Sequence, residues 1–213
     1  MKQITIIFSI IFCLATASVL GQENAPKVLV MGVPQYMINN GIRIDIDIPT
    51  KDYKSWWVIM PQFYVDVNHF ERLVEKKYEQ LHGYGLSIHR KGFLTKNHPD
   101  QGVYISGGIG TQYFNILTNT ERWANFDDNG LNVIKLTRDN YHVYINKVLT
   151  EVVIGYQKEI TSRLYVDFYG GFGLRYSFYK QPSGSDIKFN KNITDYGYTG
   201  TIITGGVRIG VGL

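Results

Sequence analysis

The sequence predicts an all-β fold: a closed antiparallel up-and-down transmembrane β-barrel, most simply of eight strands. Three observations support this prediction. Apolar and polar residues alternate along repeated stretches of the chain. No segment is apolar over the roughly 18 or more consecutive residues that a membrane-spanning helix needs. Short and long connections between the stretches follow one another in turn, as they do in membrane barrels.

The clearest strand is the stretch 164–178, LYVDFYGGFGLRYSF. Its even positions are almost all apolar, whereas its odd positions include Asp167, Arg175 and two glycines. Successive side chains of a strand point to opposite sides, so this strand has one apolar and one polar face. At about 3.3 Å per residue it is long enough to cross a bilayer when tilted, whereas strands of soluble proteins usually have about five or six residues.

Seven further stretches read as strands. Fusing residues 27–48 into one strand would give seven strands with the long loops facing the periplasm, so the loop pattern favours eight strands. They span residues 27–38, 42–48, 55–67, 82–94, 102–117, 143–158, 164–178 and 199–213. The connections on one side are the Asn39-Asn40-Gly41 hairpin and the segments 68–81, 118–141 and 180–198, of which 68–81 is a helical turn or a strand extension. Those on the other side are the short turns 49–54, 95–101 and 160–163. An even strand number with short periplasmic turns and longer external loops is typical of transmembrane barrels, and this order puts both chain ends on the periplasmic side.

The first 21 residues have the layout of a secretory signal peptide. Met1-Lys2 precede an apolar run from Ile4 to Leu14, and small residues follow it. Cleavage is expected after Gly21 or, earlier, after Ala17, which leaves residues 22–213 as one barrel domain. Cys13 is the single cysteine of the chain, so the exported part has none and forms no disulfide.

The polar face is predicted to line the interior and the apolar face to contact lipid. Eight strands enclose a lumen that side chains fill, and charges of both signs within it are able to pair. The predicted polar network of the lumen is Arg43, Asp45, Asp47, Asp66, His89, Glu151, Asp167, Arg175 and Arg208. The aromatic residues predicted for the membrane interfaces are Tyr36, Trp56, Trp57, Tyr113, Tyr156, Tyr165, Tyr176 and Tyr179. A soluble barrel of the lipocalin kind would have the two faces reversed.

Chemistry-bearing motifs are weak in this sequence. Lys and Arg form no cluster, which argues against a nucleic-acid partner, and the histidines lack metal-ligand spacing, so no metal or cofactor is expected. The glycine-rich runs lie inside alternating strands with no helix after them, so packing explains them better than phosphate binding. Ser87, His89 and a carboxylate such as Glu151 leave open an enzyme that modifies membrane lipid, although no enzyme motif surrounds them.

Several segments together resemble a known family. They are IRIDIDIP, the hairpin HRKGFL…DQGVYISGGIGTQYF, LYVDFYGGFGLRYSF and GGVRIGVGL. The chain resembles the small outer-membrane β-barrel proteins of Gram-negative bacteria, the OmpA-barrel and OmpX-like group with a porin-like β-barrel domain. Such barrels typically end in an aromatic residue that the barrel-assembly machinery reads, and Leu213 stands there instead.

The resemblance implies an integral protein of the outer membrane, reached after signal-peptide export. Its expected partners are outer-membrane lipid and, during biogenesis, the barrel-assembly machinery. The expected role is non-enzymatic, with no catalytic residue: envelope structure or surface interaction through the longer external loops, around a polar plugged lumen. The lipid-modifying enzyme and the soluble ligand-binding barrel remain the alternatives.

Overall fold

The computed structural model describes residues 26–51, 53–65, 79–94, 100–128, 130–161, 163–180 and 188–213. The predicted signal peptide, most of segment 68–81 and most of turn 95–101 lie outside these ranges. The described strands are β1 Leu29–Gly32, β2 Gly41–Pro49, β3 Ser55–Val65, β4 Gln80–Phe93, β5 Gly102–Asp128, β6 Leu131–Thr161, β7 Leu164–Tyr179 and β8 Gly200–Gly212, with a 3₁₀ segment at Pro34–Asn39. No helix among these residues is long and apolar enough to cross a membrane.

The eight strands form one closed antiparallel barrel in which each strand pairs with its neighbour in sequence. The predicted eight-stranded up-and-down barrel is therefore confirmed. The seam is the pairing of β1 with β8, and it comprises four residue pairs, from Leu29 with Gly212 to Gly32 with Ile209. The Leu213 N–H extends it by donating to the Val28 carbonyl at 2.8 Å. We call the end where β2–β3, β4–β5 and β6–β7 connect the short-turn end, and the opposite end the hairpin end.

The first strand is much shorter than the predicted strand over residues 27–38. Pairing stops at Gly32, and Pro34 begins the 3₁₀ segment. Proline has no N–H to donate to a ladder and is favoured at the first helical position, which explains the change. Asn40 then takes the left-handed conformation, φ 54°, and β2 begins at Gly41, so the expected tight Asn39-Asn40-Gly41 hairpin is replaced by this longer connection.

The largest correction concerns residues 118–141, for which the prediction of a polar loop is wrong. They instead prolong β5 and β6 as a two-stranded ribbon, paired from Thr118 with Tyr141 to Asp128 with Leu131. β4 pairs with β5 only as far as Leu117, and β7 pairs with β6 only as far as Ile145. The ribbon therefore stands beyond the barrel wall, and we call residues 118–141 the projecting hairpin. At its tip Gly130 has φ +84°, and its N–H donates to Asp127 Oδ1 at 2.8 Å.

Glycines on the inner face let neighbouring strands approach closely. A Cβ at Gly171 would collide with the Val152 carbonyl oxygen, whereas one at the adjacent Gly170, on the outer face, would meet nothing within 4 Å. Gly155 is covered by the ring of Tyr104 in the same way. The glycine-rich runs are thus explained by strand packing around a narrow interior.

Candidate functional site: the charged interior

A layer of ion pairs fills the middle of the barrel. β2 contributes Arg43, Asp45 and Asp47, β4 contributes Lys91, β7 contributes Asp167, and β8 contributes Arg208. Alternation along each strand points all six side chains inward, and none is more than 6% exposed. Asp167 and Arg208 also lie directly opposite each other in the β7–β8 register.

Arg208 is the centre of this layer. Its Nη1 donates to Asp45 Oδ2 at 3.0 Å, and its Nη2 donates to Asp167 Oδ2. Nη2 also donates to the Tyr104 hydroxyl at 2.7 Å, and that hydroxyl donates to Asp167 Oδ1 at 2.7 Å. Arg43 holds the other side of Asp45 with a two-bond fork, Nε to Oδ1 at 2.6 Å and Nη2 to Oδ2 at 2.8 Å. Bidentate contacts of this kind are the strongest that arginine makes with a carboxylate.

Lys91 completes the layer from the short-turn side. Its Nζ donates to Asp47 Oδ2 at 2.8 Å and to Gln157 Oε1 at 2.5 Å, and it lies 3.5 Å from Asp167 Oδ2. The three cations of the layer thus face its three carboxylates, and the layer is electrically balanced. Taking charges out of water is unfavourable unless partners compensate them, and each charge of this layer lies beside a partner of opposite sign.

A small cavity lies beside the ion pairs. Its lining includes His89, Glu151, Ser106, Tyr169 and Arg43, and its volume is about 10 Å³. That is room for about one water molecule. His89 Nε2 is buried and has no hydrogen-bond partner among the described residues. Val58, Met60 and Val153 also line the cavity, which is far too small for a lipid chain.

Two buried clusters of apolar and aromatic residues flank the charged layer, one at the hairpin end and one at the short-turn end. At the hairpin end the buried residues are Tyr64, Leu81, Phe114, Ile116, Val143, Ile145 and Phe189. Phe189 comes from the connection between β7 and β8, so this connection folds into the barrel mouth. At the short-turn end the buried residues are Leu29, Met31, Trp56 and Tyr165. Tyr165 donates to Asp100 Oδ2 at 2.7 Å, which ties the β4–β5 turn beneath this cluster.

Glutamine side chains form a buried hydrogen-bond network with Tyr64 of the hairpin-end cluster. Gln112 Nε2 donates to Gln62 Oε1 at 2.6 Å and to the Tyr64 hydroxyl at 2.9 Å. Gln62 Nε2 donates to Ser87 Oγ at 3.2 Å. Ser87 is therefore engaged as an acceptor in a buried amide network, 1% exposed.

The structure places most of the predicted lumen residues together. Those buried inside the barrel are Arg43, Asp45, Asp47, His89, Glu151, Asp167 and Arg208. Arg175 also points inward but is half-buried, and its Nε has no hydrogen-bond partner within the part of the chain that the structure describes. Asp66 lies outside the described residues. The sequence suggested Arg175 or Arg208 as partner of the β2 carboxylates, and Arg208 takes that position.

Half of the predicted interface aromatics are on the wrong side of the wall. Trp56 is fully buried and Tyr165 is 2% exposed, both within the short-turn cluster. Tyr36 and Tyr179 pack against the hairpin-end cluster inside the barrel. Neighbouring residues of a strand face opposite sides, so Trp56 and Trp57 cannot share a surface. Trp57, Tyr156 and Tyr176 are exposed on the outer wall, and Tyr113 is half-exposed there.

Sequence reasoning missed several interior residues. Lys91 and Tyr104 are central to the ion-pair layer, and Gln157 accepts from Lys91. Gln62, Gln112 and Lys147 are buried against Tyr64 or Phe114 of the hairpin-end cluster. A signal for Lys91 was present, because it lies two residues beyond His89 and so shares its face of β4. The same counting places Gln62 on the inner face of β3. It also places Tyr104 on the inner face of β5, two residues before Ser106, although tyrosine as a residue type fits either face.

The outer wall of the barrel is apolar on almost every strand. Its exposed large apolar residues include Ile42, Ile44, Trp57, Phe63, Tyr84, Leu86, Ile88, Val103, Ile105, Ile109, Val148, Val152, Ile154, Tyr156, Phe168, Phe172, Leu174, Tyr176, Phe178, Ile203 and Ile209. Isolated apolar side chains are common on soluble proteins, but a continuous surface of them is not. This wall surrounds the charged layer described above.

No group of three or more His, Cys, Asp or Glu side chains able to hold a metal ion occurs among the described residues. No protein-family model matches the chain. No curated protein matches it either. Among solved structures, the chain is similar to the crystal structure of Acinetobacter baumannii CarO, at 10% sequence identity and a TM-score of 0.39, over 91% of this chain and 100% of that chain.

Proposed function

We propose that this chain is an integral outer-membrane β-barrel protein of a Gram-negative envelope, non-enzymatic, with a plugged lumen and a structural or surface-interaction role. The observation that carries the proposal is the contrast between the two faces of one closed barrel. Three pairs of buried charges lie inside, and large apolar side chains are exposed outside. A soluble barrel would place these side chains the other way round.

The height of the apolar wall supports insertion in a bilayer. Phe168 and Phe178 are exposed aromatic residues ten positions apart on β7. At about 3.3 Å per residue and a tilt of about 40° they are separated by about 25 Å across the membrane, the height of the apolar band of such barrels. Lipid offers no hydrogen bonds to a strand edge, so backbone groups in a membrane must be paired within the protein. Pairing of β1 with β8 closes the barrel and so removes the free edges along the paired residues.

Aromatic residues gather near the hairpin end of this wall. Tyr84 and Tyr113 pack at 5.1 Å between ring centroids, and Tyr113 stacks with Tyr144 at 6.4 Å. The row continues to His142, 6.1 Å from Tyr144. Amphipathic rings favour the level of the lipid headgroups, where one edge is apolar and the other is wet. This row therefore supports an interface at the point where the projecting hairpin leaves the barrel.

The filled lumen supports a structural role over transport or lipid chemistry. The cavity beside His89 has room for about one water molecule and is too small for a lipid chain. Ser87 is buried within the glutamine network and does not face an open cleft. A hydrolase nucleophile must meet both its base and its substrate, so this arrangement favours a non-enzymatic protein.

The projecting hairpin supports surface interaction. It carries exposed Phe126, Leu131, Ile134 and Leu136 beyond the barrel wall. Both of its edges lack a neighbouring described strand, and strand edges of this kind are surfaces to which partner strands add through backbone hydrogen bonds. The proposal assigns the interaction role to this hairpin.

The test is to express the chain from residue 1 in a Gram-negative host, fractionate the envelope, and run the membrane fraction on a gel with and without boiling. We expect the protein in the outer-membrane fraction, with a mobility that changes on heating because the closed barrel resists detergent. A soluble periplasmic protein with no mobility shift would contradict the proposal and would reverse the assignment of the faces.

A further inference from the structure

The short-turn end of the barrel carries an excess of basic side chains on its outside. The described members are Lys27, Lys51, Lys54, Arg90, Lys158 and Arg163, which we call the basic rim. Glu159 is the one acidic side chain described outside the lumen at this end, since Asp47, Asp100 and Asp167 are buried inside. Glu159 Oε1 already accepts the Arg163 backbone N–H at 2.7 Å, and its Oε2 accepts from Gln101 at 3.2 Å.

The hairpin end shows no such bias. In segments 66–79, 118–141 and 180–198 the sequence carries acidic and basic residues in nearly equal numbers. The interior layer is balanced as well. Among the described residues outside the lumen, the excess of basic side chains therefore lies at the short-turn end.

Arg90 shows how the rim meets the apolar wall. It is exposed on the outer face of β4, on the same face as Ile88 and Leu86, and directly opposite Trp57 in the β3–β4 register. Its guanidinium lies 4.7 Å from the centroid of the exposed Trp57 ring, and Nη2 donates to Ser55 Oγ at 2.5 Å. A charge held over an interfacial tryptophan, at the last turns of the apolar wall, is placed at the depth of lipid headgroups.

Lys158 occupies the equivalent place on β6. It lies two residues beyond the exposed Tyr156, on the same outer face, and close to the end of the strand. Lys51 and Lys54 flank the β2–β3 turn. Cations therefore recur around the rim just outside the apolar wall. The outer face of β4 carries no cation between His82 and Arg90, and that of β6 carries none between His142 and Lys158.

We propose that the basic rim binds the phosphate groups of anionic phospholipids in the leaflet at the short-turn end. This inference rests on the proposed membrane insertion. The phosphodiester of such a lipid is an anion at the depth where Arg90 and Lys158 lie, and the acyl chains of the same molecule contact the wall beside Trp57. Basic residues next to a membrane surface attract anionic lipids in this way.

The experiment uses the full exported chain folded into phosphatidylcholine vesicles that contain either brominated phosphatidylglycerol or brominated phosphatidylcholine at equal mole fraction. Bromine quenches tryptophan fluorescence at contact range, and subtracting the quenching of a Trp57→Phe variant isolates Trp57. We expect brominated phosphatidylglycerol to associate about fivefold more strongly than brominated phosphatidylcholine. Raising the salt concentration should reduce this preference, because the rim is exposed to solvent.

Matched variants assign the preference to the rim. Arg90→Ala should remove most of it, Arg90→Lys should retain most of it, and Lys188→Ala at the hairpin end should leave it unchanged. Each variant is first checked for a heat-dependent gel shift, so that only folded barrels are compared. Addition of inorganic phosphate at matched ionic strength should leave the preference in place, because the lipid presents its phosphate at the right depth.

Equal quenching by the two lipids in the unsubstituted chain, or an unchanged preference in Arg90→Ala, would overturn the inference while the membrane barrel stands. A preference abolished by inorganic phosphate would assign the rim to a soluble anion and would overturn it as well. Absence of quenching by either lipid would instead contradict membrane insertion itself.

Discussion

The inner and outer walls of this barrel are made by the same strands, but the inner wall is charged and buried and the outer wall is apolar and exposed. On β2, the inner positions are Arg43, Asp45 and Asp47, whereas the outer positions alternate with them as isoleucines. The inner carboxylates of β2 are held by partners from other strands, Asp45 by Arg208 of β8 and Asp47 by Lys91 of β4. The outer residues form exposed or half-exposed apolar surface.

This difference shows that the two walls are specified by different rules. The inner wall depends on particular partners, because each buried charge needs its counter-charge at a defined position. Under the proposed membrane insertion, the outer wall depends on composition, because lipid accepts any apolar side chain of suitable size. Substitutions should therefore be judged by which wall they touch, and four changes test that view.

The largest effect is expected for Arg208→Leu on the inner wall. It leaves Asp167 and Asp45 each without one cation in a buried layer, and breaking such a network costs about 3–5 kcal/mol. The measurement is the free energy of unfolding in urea, with the barrel in detergent micelles or vesicles. Arg90→Leu on the outer wall is the control and should change the unfolding free energy by less than about 1 kcal/mol. Equal losses in the two variants would contradict a distinction between the walls.

The next effect is expected for Phe172→Arg on the outer wall. Phe172 is exposed on β7 between Phe168 and Phe178, and arginine near the middle of the apolar band costs about 2–4 kcal/mol in lipid. The unfolding free energy in vesicles measures it. Ile134→Arg, on the projecting hairpin, serves as the control and should be nearly neutral. If Phe172→Arg were also neutral, this wall would face water.

A smaller effect separates two adjacent glycines. Gly171→Ala places a Cβ against the Val152 carbonyl oxygen and 2.7 Å from the Val153 Cα, and neither atom belongs to a flexible side chain. Overpacking of this kind costs about 1–3 kcal/mol. Gly170→Ala meets nothing within 4 Å and should be neutral. The measurement is the free energy of unfolding of the two variants. A larger loss in Gly170→Ala than in Gly171→Ala would disprove the assignment of faces on β7.

The smallest effect is expected when the projecting hairpin is shortened. Replacing residues 121–138 by Asn-Gly keeps the pair Thr120–Asp139 and supplies a residue pair suited to a two-residue turn. Neither β4 nor β7 pairs with the removed part, so the unfolding free energy of the barrel should change by less than about 0.5 kcal/mol. Binding to other cells or proteins should be lost in this variant. A large loss of barrel stability would mean that the hairpin supports the wall.

Sequence periodicity is sufficient for the barrel and for the direction of most charged side chains. The period of two along β2 and β7 is enough to place Asp45 and Asp167 on the same side of the wall. It does not identify the pairs, because Arg208 reaches Asp45 across 163 positions of the chain through a register that no local pattern shows. Lys91 of β4 pairs with Asp47 but is missing from the predicted network, although it lies two residues after His89 and therefore faces the lumen as well.

Errors arose where residue type and position gave opposite signals. Trp56 and Tyr165 are aromatic residues near strand ends, which favoured an interface position, yet their parity puts them inside. The projecting hairpin is polar and contains Asn, Asp and Gly, which favoured a loop. It forms strands because β5 and β6 already run side by side below it, and continuing their register adds backbone hydrogen bonds pair by pair.

The short seam between β1 and β8 has a consequence for folding kinetics. Every other strand pairing described joins sequence neighbours, whereas the seam joins the two ends of the barrel through four residue pairs. Loop-closure entropy makes such distant contacts late and slow to form. The bridge from Asp45 on β2 to Arg208 on β8 spans the same seam from inside. The ion-pair layer is therefore completed only when the ring closes, and the last step of folding turns an open curved sheet into a barrel whose two seam edges are paired with each other.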